Sequence, residues 1–123
     1  GIYGSGTALF KNNIVWGNTS PTNIQASVSL NMSFSVVQGG YQGTGIIDIN
    51  PFEGSSFIPV INSACIDSGD PDMIFDDKST PDGNSAIFPS LGSLRNDIGA
   101  FGGPFSDKIT ANLIMNPGLL NKK

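Results

Sequence analysis

An all-β fold of short strands stacked through tight turns is what this sequence predicts, and three observations predict it. Charged residues make up 13% of the 123 residues and hydrophobic ones 38%, a balance that folds rather than staying disordered. The chain carries 16 Gly and 8 Pro, and its Asn, Ser and Thr surround short clusters of Ile, Val and Phe. That is turn chemistry between strand formers, and the Lys, Glu, Arg and Ala of a soluble helical domain are scarce. Finally, the segment Asn13-Ile14-Val15-Trp16-Gly17 can be laid over Ser35-Val36-Val37-Gln38-Gly39 at an offset of 22 residues. Such an offset lies within the roughly 20–50 residues of solenoid repeats and suits one coil stacked on the next.

The elements follow in chain order. In residues 1–50, strand candidates run from Thr7 to Phe10, then after the turn residues Asn12-Asn13 over Ile14-Val15-Trp16 up to Gly17-Asn18, and from Val28 to Val37. In the last of these Val28, Leu30, Met32 and Phe34 alternate with period two and are expected on one face, ending at Gly39-Gly40. Residues 51–104 lose this rhythm, and the stretch from Gly69 to Gly92 has little strand character. A loop of that length is expected to be functional or packed down as a cap. Residues 105–123 form a tail, in which Ile109 to Met115 is expected as one short helix or strand ending at Asn116-Pro117-Gly118.

Charge and composition remove several function classes. Six basic against 10 acidic residues leave a net charge of −4 with no basic cluster, so nothing neutralises a phosphate backbone and nucleic-acid binding is not expected. The chain has no His, which excludes Cys–His chemistry within it, and its single Cys65 reads as a buried, inert thiol. No apolar run reaches the ~18 residues of a membrane span. The opening Gly1-Ile2-Tyr3-Gly4 reads as the middle of a β structure, with any export signal expected upstream.

Two blocks then stand out. Asn62-Ser63-Ala64-Cys65-Ile66-Asp67-Ser68-Gly69-Asp70-Pro71 is answered by Arg95-Asn96-Asp97-Ile98-Gly99-Ala100-Phe101-Gly102-Gly103-Pro104. The pair resembles the C-terminal signature of bacterial right-handed parallel β-helix repeat proteins, an extracellular family of pectate-lyase-like architecture. Asn13 to Asn18, Val37-Gln38-Gly39-Gly40 and Gly43 to Phe52 are similar to the same proteins' last coils, so the likeness covers residues 13–104 in the family's order. Two departures are an insertion from Asn84 to Leu91 and Leu94 within the usual Gly-Ser-Arg, which lengthen the cap loop. The resemblance implies a right-handed parallel β-helix, a single-stranded solenoid. Its last coils would occupy residues 1–50 and its C-terminal capping region residues 51–104, in a protein placed outside the cell or on its surface.

A cap has a physical task. The end coil of a parallel stack exposes unpaired N–H and C=O groups and an open apolar interior. Ile66, Ile98, Ala100 and Phe101 suit closure. Asp67, Asp97 and Arg95 suit pairing with backbone groups or with one another, and Asp70 belongs to the same set. Gly69, Gly99, Gly102 and Gly103 suit positive φ or close backbone approach.

Ligand-binding candidates stand beside plainer readings. Asp67, Asp70 and Asp72, with Asp76, Asp77 and Asp82 nearby, have the carboxylate density that holds Ca²⁺, but EF-hand spacing is absent and the alternative is a set of turn caps. No other cofactor is expected. Asp67 with Asp70, or Asp76 with Asp77, supplies the paired carboxylates of glycoside hydrolysis, although nothing in their spacing fixes a separation. Family resemblance places such chemistry on the lateral face of central coils, which this chain lacks. Trp16 and Tyr41, beside Gly and Asn or Gln, are candidates for stacking on sugar rings, against the alternative that Trp16 packs on the coil. Asn18-Thr19-Ser20 and Asn31-Met32-Ser33 match the N-glycosylation pattern.

The functional expectation is a non-catalytic C-terminal segment of an extracellular β-helix protein, capping the solenoid and contacting a polysaccharide or another cell-surface partner. The alternative is the C-terminal part of a polysaccharide lyase or glycoside hydrolase whose catalytic coils lie upstream. The N-terminal edge, residues 1–20, is expected to pair with upstream coils or a second copy.

Overall fold

The computed structural model describes residues 6–19, 29–53 and 58–109. Among these residues five short strands build two small parallel sheets: β1 (Thr7–Lys11), β2 (Ile14–Val15), β3 (Ser29–Ser33), β4 (Ser35–Val37) and β5 (Ile46–Ile47). β1 pairs with β3, and β4 lies between β2 and β5. Thr7 stands opposite Ser29 and Ile14 opposite Val36, so both pairings hold the 22-residue offset expected from the repeated Ile-Val/Val-Val segments. The next pairing, Val36 with Ile47, is tighter by half, because the chain returns through Gly39–Gly45 without forming another strand of the first sheet.

The run expected as one strand up to Val37 is two strands with a corner at Phe34; Val28 lies outside the described residues. Phe34 sits at φ 46°, in the left-handed region, and Asn12 at φ 59° makes the equivalent corner between β1 and β2. Gly45, at φ 67°, makes the third. The corners stack, with the Asn12 N–H donating to Phe34 O (3.1 Å) and the Phe34 N–H to Thr44 O (2.8 Å). For a non-glycine residue this conformation costs roughly 1–2 kcal/mol, and the two ladder bonds offset it. Gly45 has no freedom to change, because a Cβ there would lie 2.6 Å from the Phe34 ring.

Ser35, Val36 and Val37 are all buried (0, 0 and 1% exposed). Successive side chains of a strand point to opposite faces, so β4 is covered on both. On one face Val37, with Val15 and Ile46, packs against Leu30, Met32 and Phe10 of the other sheet. On the opposite face Val36, stacked between Ile14 and Ile47, is covered by Cys65 and Ile98. The Ser35 hydroxyl is held inside by donating to Ser33 O (2.9 Å) and accepting from the Asn13 N–H (3.2 Å).

Beyond β5 regular structure nearly ends, as the loss of periodicity after Pro51 predicts. Met73–Phe75 form one 3-10 turn, capped by the Asp72 side chain, and Ser79 and Ala86 make a single antiparallel bridge. The element expected from Ile109 to Met115 lies, after Ile109, outside the described residues. No helix among the described residues is long and apolar enough to cross a membrane.

Candidate functional site

The two blocks singled out in the sequence fold onto each other through carboxylates that accept backbone N–H groups. Asp67, in the left-handed region at φ 53°, donates its N–H to Asp97 Oδ1 (2.8 Å). Asp97 Oδ2 accepts the Leu91 N–H (2.8 Å), so a single buried carboxylate ties two chain segments together. The Asp67 carboxylate in turn accepts the Ser93 N–H (2.9 Å) and the Ser93 hydroxyl (2.7 Å). Another buried carboxylate, Asp77, accepts from the N–H groups of Asp97 (3.3 Å) and Gly103 through Oδ1. Its own N–H goes to Leu94 O (2.9 Å).

Arg95 does not pair with an aspartate. Its Nε and Nη2 both donate to the Gly69 carbonyl (3.2 and 2.9 Å), while Asp67 and Asp97 accept from backbone and hydroxyl donors. The Gly69 N–H donates to Asn96 O (2.8 Å), and any Cβ on Gly69 would collide with Asn96. Of the expected capping residues, Asp67, Gly69, Arg95 and Asp97 therefore form one connected cluster.

Asp70 and Gly99 join that cluster to the sheets. The Asp70 N–H donates to Asn12 Oδ1 (2.7 Å), and the Gly99 N–H to Asn12 O (3.0 Å). Asp70 Oδ2 pairs with Lys11 Nζ (2.6 Å). Gly99, at φ 105°, passes so close to β2 that a Cβ would lie 2.7 Å from Ile14 Cδ1. The Ile98 N–H donates to Cys65 O (2.9 Å), and both side chains press on Val36. The blocks thus lie on a face of the β2–β4–β5 sheet and at the Asn12 corner of the first strand pair.

Ionisation follows these environments. Burial pushes the Asp77 carboxyl up to about 7, opposed by the Gly103 N–H and reinforced by Asp97 and Asp67. Asp97 is raised too, chiefly by burial, against the donors from Leu91 and Asp67. Asp70 is lowered, first by its bond to Lys11 and then by the Asp72 N–H. Burial raises the Cys65 thiol to about 11, which leaves it a protonated packing group.

The three carboxylates considered for Ca²⁺ are employed separately. Asp67 holds Ser93, Asp70 holds Lys11 and the Asp72 N–H, and Asp72 caps the 3-10 turn through the Ile74 N–H. Among the described residues no three His, Cys, Asp or Glu side chains gather as a metal-holding group.

The two aromatic candidates line different grooves. Trp16 packs on the Val36–Cys65–Ile98 cluster and lines a groove of about 530 Å³ with Asn12, Asn13, Ile14, Phe52 and the segment Gly99-Ala100-Phe101. Tyr41 lines another, of about 740 Å³, with Leu9, the β3 strand and residues 42–44. Among the described residues, no acidic or basic side chain lines either groove. Phe52 and the two Asn side chains were not singled out as ligand candidates in the sequence, and Phe101 was expected only to close the interior. The turn signal Asn12-Asn13 marked the corner but not the groove beside it.

Comparison of the chain with protein-family models, with curated proteins and with solved structures found no match.

Proposed function

We propose that this chain is the terminal segment of an extracellular right-handed parallel β-helix, with a structural and carbohydrate-binding role and no catalysis of its own. In this reading β1 and β3 belong to successive coils, as do β2 and β4, and the Asp/Gly/Arg blocks clamp the last coils into one rigid body. The observation that carries it is the assignment of the carboxylates. Asp67, Asp77 and Asp97 accept backbone donors, Asp70 is ion-paired, and among the described residues no acidic side chain lines either groove. Glycoside hydrolysis needs two carboxyl groups facing the substrate, and β-elimination needs a base beside it. A groove lined by neither lacks the groups that either cleavage requires.

Affinity electrophoresis through gels containing soluble neutral or acidic polysaccharides tests the proposal, with reducing-end release and unsaturated-product absorbance measured on the same mixtures. Retarded migration without depolymerisation is expected. Turnover comparable to that of a lyase or hydrolase, or free migration through every polymer, would overturn it.

A further inference from the structure

We propose that the Trp16 groove is a binding site for an uncharged saccharide, which it selects over polyuronates; this rests on the carbohydrate-binding reading above. Three aromatic rings converge there from distant parts of the chain: Trp16 after β2, Phe52 after β5, and Phe101 from the second signature block. All three are half-buried and line the groove, and Trp16 is seated on the Val36–Cys65–Ile98 cluster. Rigid rings of this kind give a sugar's C–H face a large contact area at little entropic cost. Around them Asn12 Nδ2, Asn13 Oδ1 and the indole N–H supply directional groups of the sort that hydroxyls recognise, while Asn12 Oδ1 and Asn13 Nδ2 hold the site's frame through the Asp70 N–H and the Lys11 carbonyl. The volume lies inside the ~300–1,000 Å³ of small-ligand sites.

Selection follows from what the lining lacks. Among the described residues, no side chain lining the groove is ionisable. Lys11, next to Asn12, is held by Asp70, and Arg95 is committed to the Gly69 carbonyl. A uronate carboxylate entering the groove would shed water and find no cation, inside a chain of net charge −4. A neutral pyranose sheds no charge and keeps its hydroxyls paired with the amides.

Trp16 is the only tryptophan, so its emission reports this groove directly. The experiment titrates the protein with cello-, xylo-, manno- and galacto-hexaose and with hexagalacturonate, following Trp16 emission and measuring affinity by calorimetry. At least one neutral hexaose is expected to give a saturable emission change, with hexagalacturonate about tenfold weaker or more. Ala100 is exposed on the groove, so Ala100→Arg should fold normally and weaken the neutral ligand about tenfold by filling the site. Trp16→Phe should retain part of the affinity and Trp16→Ala lose it. Equal or tighter binding of hexagalacturonate would overturn the proposal. So would saccharide binding that leaves Trp16 emission and the Ala100→Arg variant unaffected; that result puts the sugar elsewhere and leaves the broader function standing. Absence of binding to any saccharide would remove both.

Discussion

Replacing Asp97 should loosen the whole clamp, and the cost can be worked from its bonds. Its two oxygens accept the N–H groups of Asp67 and Leu91 at 2.8 Å each, and the residue is 4% exposed. Hydrogen bonds to a charged acceptor are worth about 1.5–3 kcal/mol each, and a buried N–H left without a partner costs about 1–3 kcal/mol. Against this, the carboxylate itself is unfavourably buried, as its raised pKa records, so removing it returns part of the sum. Asp97→Ala should therefore cost about 3 kcal/mol. Asp97→Asn keeps one acceptor oxygen but turns an amide N–H₂ toward the other donor, and should cost about 1–2 kcal/mol. Urea unfolding followed by Trp16 emission reads both, since Trp16 packs on Ile98 and its neighbours. With a slope of about 1.5 kcal/mol per M, the Asp97→Ala midpoint should fall by about 2 M at an unchanged slope. A midpoint within about 0.3 M of the parent would refute the claim that this carboxylate holds the two segments together.

The remaining predictions concern pH, backbone and edge. Asp77 has an ordinary value of 3.8 in the unfolded chain and about 7 in the folded one, so between those values the folded state binds more protons and stability falls as pH rises. Asp70 is shifted the other way and contributes stability that disappears as pH drops below its unfolded value. The stability maximum should lie near about pH 4–5, with roughly 1–2 kcal/mol lost by pH 7.5 after allowing for solvent screening. Urea midpoints across this range check it, and Asp77→Asn should flatten the neutral limb. Gly99→Ala meets both a φ of 105° and the Ile14 side chain, and should lower the same midpoint by an amount equivalent to about 2–3 kcal/mol. Millimolar Ca²⁺ should leave the melting temperature within about 1 °C, and a rise of several degrees would put the ion among the carboxylates after all. Finally, β1 pairs on one side with β3, and Leu9 on it is 68% exposed. Sedimentation should show concentration-dependent self-association that Leu9→Lys suppresses, because a charge on an edge strand discourages further pairing.

How far the fold was legible depends on the range of the interaction concerned. The 22-residue offset could be read because Ile14-Val15 and Val36-Val37 are apolar pairs with Gly at matching positions downstream, and ladder partners in a parallel stack repeat their chemistry. The Asn12 corner was marked too, since Asn tolerates the left-handed region. Phe34 gives no such signal, and its apolar side chain continued the alternation of Leu30 and Met32 through what is in fact a turn. Burial of Ser35, Val36 and Val37 together was likewise hidden, because the cover on the second face comes from Cys65 and Ile98, far along the chain.

The candidate site divides in the same way. Asp67, Gly69, Arg95 and Asp97 were legible as a connected set because short Asp/Gly-rich blocks need local backbone partners. Which partner each chose was not: Arg95 donates to a carbonyl, and Asp97 accepts two backbone N–H groups. The link between Asn12 and Asp70 spans 58 residues, so no local pattern announces that the blocks lie on the sheet face. Trp16, Phe52 and Phe101 meet only once that docking has happened. Their groove belongs to the tertiary structure.

Disulfide trapping across β1 and β3 is the most direct test of the stacked register on which clamp and groove both depend. Leu9 and Asn31 stand opposite each other on an exposed face, and their pairing distance suits a disulfide, whereas Leu9 and Ser29 are two positions out of register. Oxidation of the Leu9→Cys/Asn31→Cys chain should close the bond readily, with Cys65 buried and unreactive, while Leu9→Cys/Ser29→Cys should close slowly. Faster closure of the Leu9–Ser29 pair, or closure of neither, would contradict parallel stacking at the 22-residue offset.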